Sequence, residues 1–509
     1  MTNQSYTSTS KYSRYLLAAL VAAVFTGCGS SDRPTIEEEL NKSVRDVIAT
    51  KQLTGDPSTG RDLPNINEPI AQLGMKLFFT KALGGDMDSA CVTCHHPVLG
   101  GGDDLSLPVG VDAEVADLLG PGRFHSAGGE HFDGGPTVPR NAPSTFNLAL
   151  WDQVLFHDGR VESLGKTPGV NGDDGMGIRT PDVAFGQVDP NSGENLAVAQ
   201  SRFPVTSPEE MKNFGFMDGT NNAEVREFLE QRVGGYGTPP GGALSLNDWL
   251  AEFREAFAQP EATAEELVTF ENITLAMATY ERSQVFVDTP WKSYVSGNDD
   301  AISDSAKRGA LIFFNDTANG GANCASCHSG DFFTDEKFHV IGMPQIGRGK
   351  GNGTNGDDDF GRFRETGDEQ DKYAFRTPTL LNTTATGPWG HAGAYTSLEN
   401  AVRHHLDPQA ALDNFDWLQL APNIQATNMV ANTQLAIDKL VANRAAGIMS
   451  LENVSLNDSQ IADLMAFLEA LTDPCVEDRA CISQWIPDAS DSNPDALRVN
   501  AIDENGNFL

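Results

Sequence analysis

The sequence predicts an all-α protein of two domains joined by long loops, and three observations carry that prediction. No stretch alternates apolar and polar residues for long enough to build a β-sandwich or barrel, whereas several stretches repeat apolar residues at helical spacing. Fifty Gly and 27 Pro among 509 residues leave room for extended irregular connections. Two Cys-x-x-Cys-His motifs, Cys91-Val-Thr-Cys94-His95 and Cys324-Ala-Ser-Cys327-His328, lie far apart in a chain long enough for two or three domains.

The first thirty residues read as a targeting segment. Lys11 and Arg14 give it a positive start, and Leu16 to Phe25 is apolar but too short to span a bilayer. Residues 1–27 are expected to be a signal peptide, because Phe25-Thr26-Gly27-Cys28 resembles a lipobox with Phe where Leu is usual. Lipidation of Cys28 is the expectation, with ordinary signal cleavage nearby as the alternative. Either way export is expected, to the periplasm or the outer membrane with the lipid on Cys28 as anchor, and Gly29 after that cysteine resembles the pattern of lipoproteins passed on to the outer membrane.

Residues 28–65 then hold a tether and an amphipathic helix at 35–49. Thr35 and Glu38 form a capping box ahead of Ile36, Leu40, Val44 and Val47. A second helix, from Asn67 to about Ala82, leads into the first motif. Both motifs read as c-type haem attachment sites. Two thiols add across the haem vinyl groups and the following His becomes the proximal iron ligand, all three expected on one helical turn. A zinc site or a redox dithiol is the bland alternative.

Residues 163–197 are rich in Gly and Asp without periodicity, so an inserted surface loop is expected at about 165–197. Residues 263–281 read as one long helix, followed by Trp291 and an acidic linker from Gly297 to Asp304. The first haem domain is therefore drawn as 66–298 and the second as 299–474. The second contains a helix at Arg308–Phe314, its Cys-x-x-Cys-His motif, a loop from Gly347 to Lys372, and a last helix carrying Ile461, Leu464, Leu468 and Leu471. Within that loop, Asp357-Asp358-Asp359 reads as a solvated charge run. Cys475 and Cys481 lack a neighbouring His and are expected to form a disulfide in an exported protein, with free thiols as the alternative. They would staple a tail, 475–509, whose Trp485 and Ile486 pack back onto the domain.

An internal repeat supports the two-domain reading. Arg140-Asn-Ala-Pro143-Ser-Thr-Phe-Asn147 with His157-Asp-Gly159 and Ser163-Leu164 is echoed by Arg376-Thr-Pro378-Thr-Leu-Leu-Asn382 with His391-Ala-Gly393 and Ser397-Leu398.

Several further stretches resemble signatures of the bacterial di-haem cytochrome c peroxidase family, which includes the MauG-like enzymes that oxidise a partner protein. They are Leu73-Gly74-Met-Lys-Leu77-Phe78-Phe79, Pro139-Arg140-Asn141-Ala142-Pro143, Phe156-His157-Asp158-Gly159-Arg160, and Phe333-Thr334-Asp335 with Phe338-His339. The resemblance spans roughly residues 66 to 475. It implies two cytochrome c-like haem domains with a calcium ion between them, the N-terminal haem binding peroxide and the C-terminal haem relaying electrons.

Residue by residue, the resemblance makes Glu210 the distal acid-base group and Gln200, ten residues before it, the distal glutamine. Taken alone, an acid after Ser-Pro is a helix N-terminal charge, a part that Glu209 fits. Calcium would take the Asn141 side-chain oxygen and the carbonyls of Thr386 and Pro388, against the plainer reading of Asn141 as a turn residue. The family's distal His aligns with Asp133, which leaves His131, His125 or no residue as the sixth ligand of the first haem. Its tryptophan between the haems is His157 in this chain, with Trp151 and Trp389 as substitutes. The second axial ligand of the C-terminal haem, Met or Tyr in the family, falls on His405. His404 is the rival, about 100° away on a helix.

The charge balance limits partners. Thirty-five Lys and Arg against 71 Asp and Glu give −36, which disfavours nucleic acid and anionic membrane surfaces and suits a basic or neutral partner. The leading expectation is reduction of hydrogen peroxide with electrons from a small cytochrome c or copper protein. A MauG-like oxidase and a non-catalytic di-haem carrier are the alternatives, and the resemblance leaves room for a homodimer.

Overall fold

The computed structural model describes residues 35–237 and 242–509. The expected signal peptide at 1–27, Cys28 and the tether up to residue 34 lie outside the described residues. The protein is mostly helical, with five strands of two or three residues among the described residues. Among the described residues no helix is long and apolar enough to cross a membrane.

The first helix runs Ile36–Lys51 and starts with the Thr35–Glu38 capping box, the Thr35 hydroxyl accepting from the Glu38 N–H at 3.1 Å. The second, Pro69–Phe79, is shorter than expected. It stops because Thr80 turns extended and caps a separate 3₁₀ turn, Lys81–Leu83. The long helix expected at 263–281 is two helices, Ala264–Leu267 and Phe270–Arg282. Thr263 and Thr269 each cap an N-terminus, and these two local hydrogen bonds break a stretch that periodicity alone reads as continuous.

Two helix pairs repeat in the two halves. Pro69–Phe79 crosses Phe270–Arg282, and Asp304–Phe314 crosses Asp458–Glu469, and each pair stands directly before or around a Cys-x-x-Cys-His motif. Both crossings depend on a glycine. A Cβ on Gly74 would lie 1.9 Å from the Ala276 carbonyl oxygen, and one on Gly309 would lie 1.9 Å from that of Asp463. Phe313, Phe314, Phe467 and Trp291 fill the second crossing, while Leu73, Leu77, Ile273 and Met277 fill the first.

The stretch expected as an inserted loop at 165–197 is pinned, not free. Ile178–Arg179 pairs antiparallel with Val161–Ser163, which pairs with Val154–Leu155. The Asp152 carboxylate accepts the N–H groups of Gly169 and Asn171 at 2.8 Å, and buried Asp189 accepts from Arg202 at 2.6 Å. Phe338–Val340 pairs with Ala374–Arg376 in the second half.

The acidic run corrects an expectation. Asp358 and Asp359 are buried, and Asp359 holds Arg140 at 2.6 Å. Arg140 also binds Asp158 at 2.6 Å, and Arg362 reaches Glu162 at 2.6 Å, so the loop of the second half closes onto the first through buried ion pairs. A charge run looks solvated only while its partners, some 200 residues away in sequence, are out of view.

Cys475 and Cys481 are joined by a disulfide. The tail beyond it returns to the first half: Trp485 packs on Phe286, the Tyr280 hydroxyl donates to the Trp485 carbonyl at 2.7 Å, and Val499 N–H donates to Phe79. Asp495 accepts from Thr80 and from the Trp249 indole.

Candidate active site at two Cys-x-x-Cys-His centres

In each motif the two cysteines bracket one 3₁₀ turn, Cys91–Thr93 and Cys324–Ser326, and the His follows outside it. The turn is tighter than the α-helical turn expected. The His95 Nδ1–H donates to the Gly101 carbonyl at 3.1 Å, and the His328 Nδ1–H to the carbonyls of Pro378 and Phe333 at 3.1 and 3.2 Å. Fixing the proton on Nδ1 leaves Nε2 as a bare lone pair, the form in which imidazole ligates a metal. Burial pulls both imidazoles below their ordinary pKa, that of His328 to about 4, and so keeps them neutral.

A cavity opens beside the first motif. Cys91, Cys94, His95, Gln200, Glu210 and Asn141 line it, so the fold gathers residues that the sequence spreads over 120 positions. Gln200 comes from the Leu196–Ser201 helix, capped by Asn195. Glu210 sits in a five-residue π turn, Pro208–Lys212. Burial pushes the Glu210 carboxyl above its ordinary pKa, against the pull of Arg160 and Lys350. Glu209 does not line the cavity and accepts from the Ser207 hydroxyl at 3.1 Å, which separates the two adjacent acids.

The loop histidines do not reach this cavity. His131 is exposed, with its ring 4.2 Å from Phe214, and buried His125 engages the Ser126 carbonyl and stacks on Phe132. His157 does line it, its Nε2–H donating to the Asn141 carbonyl at 3.0 Å. Of the two tryptophans, Trp151 lines the cavity and Trp389 does not. Trp151 packs edge-on against Phe332 at 5.2 Å, beside the Phe333 carbonyl that holds His328, while the Arg376 guanidinium lies 3.5 Å over its ring.

Sequence reasoning did not assign Arg160, Lys350, Arg376 or Glu281, all of which line the cavity. Arg160 and Arg376 lie inside the motifs already noted. Lys350 is flanked by glycines in Gly347-Arg-Gly-Lys-Gly351, and Glu281 is a charge within an apolar-periodic helix next to buried Tyr280; both are signals a sequence can offer. Burial alone lifts the Glu281 carboxyl to about 8. Burial also lowers the Lys350 ammonium to about 8, helped by Arg160 and Arg140 and opposed by Glu209 and Glu210.

At the second centre the two neighbouring histidines differ in their partners. His404 is fully buried with both nitrogens engaged: the Tyr395 hydroxyl donates to Nδ1 at 2.9 Å and Nε2–H donates to the Ile341 carbonyl at 2.9 Å. His405 donates Nδ1–H to Ala401 of its own helix at 2.8 Å, leaving Nε2 bare. Its ring centroid is 6.4 Å from that of His328. Two metal–nitrogen bonds of about 2.0 Å and two ring radii of about 1.2 Å put imidazoles sharing one iron at this separation. Cys327, Asp335 and His339 also cluster, and the His339–Asp335 contact of 2.8 Å accounts for that His.

Haem fits both motifs on these observations: bare imidazole nitrogens, paired thiols and, at the first, a cavity with cations for the carboxylates of a macrocycle. Calcium fits less fully. The Asn141 amide nitrogen donates to the Leu105 carbonyl at 2.9 Å, Thr386 packs behind Gly100, and no carboxylate belongs to the set of Asn141, Thr386 and Pro388.

Residues 68–300 match the family model described as di-haem cytochrome c peroxidase. Among curated relatives, the methylamine utilization protein MauG of Methylorubrum extorquens is 28% identical over 346 residues, covering 67% of this chain and 70% of that protein. The cytochrome c551 peroxidase of Pseudomonas aeruginosa is 25% identical over 337 residues, 66% of this chain and 71% of that one. In fold the chain is similar to a MauG-like protein associated with microbial copper homeostasis, with TM-score 0.52, 19% identity, and 84% of this chain and 97% of that one covered. It is also similar to the diheme peroxidase BthA of Burkholderia thailandensis, with TM-score 0.50, 21% identity, and coverage of 87% and 92%.

Proposed function

Since the chain belongs to the di-haem cytochrome c peroxidase family, we propose that it reduces hydrogen peroxide to water with electrons from a small redox protein, a cytochrome c or copper protein. The observation that carries this reading is the meeting of Glu210 and Gln200 with His95 in one cavity, because electron transfer alone needs no acid-base pair. Reduction of one peroxide consumes two electrons and two protons and yields two waters.

Bound at the two motifs, haem supplies redox-active iron. His95 would hold the first, and His328 with His405 would hold the second. The Glu210 carboxylate accepts the proton of one peroxide oxygen and returns it to the oxygen that leaves as water. The Gln200 amide orients the peroxide by hydrogen bonding. In this reading electrons enter at the second domain, 299–474, and are used in the first, 66–298, past Trp151 and Phe332. Calcium, where bound, would be held by Asn141, Thr386 and Pro388 as a structural ion. Export and lipid anchoring at Cys28 belong to the same proposal and are supported by the sequence of the leader.

A second reading, MauG-like oxidation of a partner protein, is favoured by one observation. A His at position 405 in place of a thioether lowers the potential of the second centre and makes it harder to accept electrons from a high-potential donor. Steady-state peroxide consumption by the holoprotein with reduced cytochrome c separates the two: turnover supports the peroxidase, and its absence with both haems loaded refutes it.

A further inference from the structure

We propose that Lys350, lent to the first-half cavity by a loop of the second half, is a positioning residue for Glu210: with Arg160, its ammonium keeps that carboxyl ionised and able to accept the proton of the substrate. The proposal rests on the peroxidase reading above.

The loop is built to deliver this side chain. Lys350 N–H donates to the Asp358 carbonyl at 3.0 Å, and the Lys350 carbonyl accepts from Arg364 at 2.5 Å, so its backbone is held from both sides. Gly349 has φ +58°, and a Cβ there would lie 2.5 Å from the Asp357 carbonyl, so only glycine lets the two strands of the loop close this tightly. At the far end of the loop, Asp359 clamps Arg140. Residue 350 is thereby fixed over the cavity wall, and its Nζ makes no hydrogen bond or ion pair among the described residues.

The charges around Glu210 show why an unpaired ammonium matters. Glu209 adjoins it on its own turn, Arg160 and Asp158 come from the 156–160 turn, and Arg140 stands directly before Asn141. His157, Arg376 and Glu281 stand on the other walls. Arg160 already lies 3.3 Å from Asp158 and 3.6 Å over the Phe156 ring. Arg140 is shared between Asp158 and Asp359, and the half-buried His157 is kept neutral by desolvation and the neighbouring Arg140 and Arg376. Among the described residues Lys350 and Arg376 form no ion pair, but Arg376 donates to the Val154 carbonyl and lies over the Trp151 ring, so Lys350 is the cation whose charge is left to act on Glu209 and Glu210. A carboxyl held away from water in a cavity resists ionisation, and a cation without a partner in the same cavity offsets that resistance.

The test is Lys350→Met in the holoprotein, with haem content verified first. Two quantities are read against pH: peroxide turnover, and the carboxyl stretching band in difference infrared spectra, assigned to Glu210 by its loss in Glu210→Gln. Turnover needs the carboxylate and fades as pH falls through its pKa. Removing the ammonium should therefore move both the acid limb and the infrared midpoint upward by roughly one pH unit. Lys350→Arg should restore both, and Lys51→Met, an exposed site on the first helix, should change neither. An unchanged infrared midpoint in Lys350→Met overturns the proposal whatever the turnover does. If the wild type consumes no peroxide, the peroxidase reading fails by itself and the infrared midpoint still decides the role of Lys350. Should Lys350→Met not load haem, Lys350→Gln removes the same charge and gives the same readout.

Discussion

Glu210 and Glu209 are adjacent and chemically identical, yet only Glu210 faces the cavity that holds His95 and Gln200. Glu210→Gln should therefore lower peroxide turnover by about 10²-fold or more while both haems remain bound, because proton transfer is lost and ligation is not. Gln200→Ala should cost less, since orientation is weakened and the acid-base group survives. The histidine pair invites an equally local experiment. His405→Ala should convert a low-spin haem to high-spin, whereas His404→Ala should leave the spin state and destabilise the fold by roughly 1–3 kcal/mol, leaving the Tyr395 hydroxyl and Ile341 carbonyl buried without their partner. A methionine-to-iron charge-transfer band in the oxidised wild type would rule the assignment of His405 out. Sequence could number both histidines and state that they diverge on a helix. The family resemblance already points to His405 with His404 as the rival; the folded chain adds that Tyr395 and Ile341 engage both nitrogens of His404 and leave Nε2 of His405 bare.

At the scale of elements, the two glycine crossings hold the helix pairs at the distance each motif needs. Gly309→Ala would drive a methyl group against the Asp463 backbone. A loss of roughly 1–3 kcal/mol is expected, read as a lower melting temperature. The spacing Gly74-x-x-x-Phe78-Phe79 recurs as Gly309-x-x-x-Phe313-Phe314, a repeat visible in the sequence once the crossings draw attention to it. The buried ion pairs give the pH prediction. Burial would raise the Asp158 and Asp359 carboxyls, but Arg140 between them carries both well below the ordinary carboxylate range. Groups depressed in the folded state add stability that is complete above their unfolded pKa of about 3.9 and is lost as pH falls through the folded values. This contribution should persist to strongly acidic pH in acid-unfolding curves. Asp359→Ala leaves Arg140 with one partner for two sets of donors and should cost about 3–5 kcal/mol at neutral pH. A variant as stable as the wild type would refute the role of this clamp.

For the whole molecule, two loaded motifs require two haems per chain by pyridine haemochrome assay, and a count of one would overturn the assignment of one centre. A net charge of −36 also has a kinetic consequence. Association with a basic donor protein should slow steeply as ionic strength rises, and a rate independent of salt would point to a neutral donor. The two halves do not act as separate bodies at the first centre, since Lys350 and Arg376 of the second half line the cavity of the first. Variants in the 347–359 loop are accordingly expected to alter chemistry at His95.

Sequence by itself determined whatever covalent spacing and local hydrogen bonding determine: the two haem attachment motifs, the capped first helix, the duplicated turns, and the residue types of an acid-base pair. Those features lie within a few residues of one another, so chain connectivity fixes their geometry before any packing occurs. Tertiary structure decided the rest. It buried Asp358 and Asp359 against partners far away in the chain, divided the 263–281 stretch into two helices, turned His131 and His125 away from the cavity, engaged both nitrogens of His404, and brought Lys350 to the cavity that Glu210 lines. Each of these outcomes depends on a buried group finding its counter-charge or hydrogen-bond partner on a distant segment, and one-dimensional spacing carries no record of which distant segments meet.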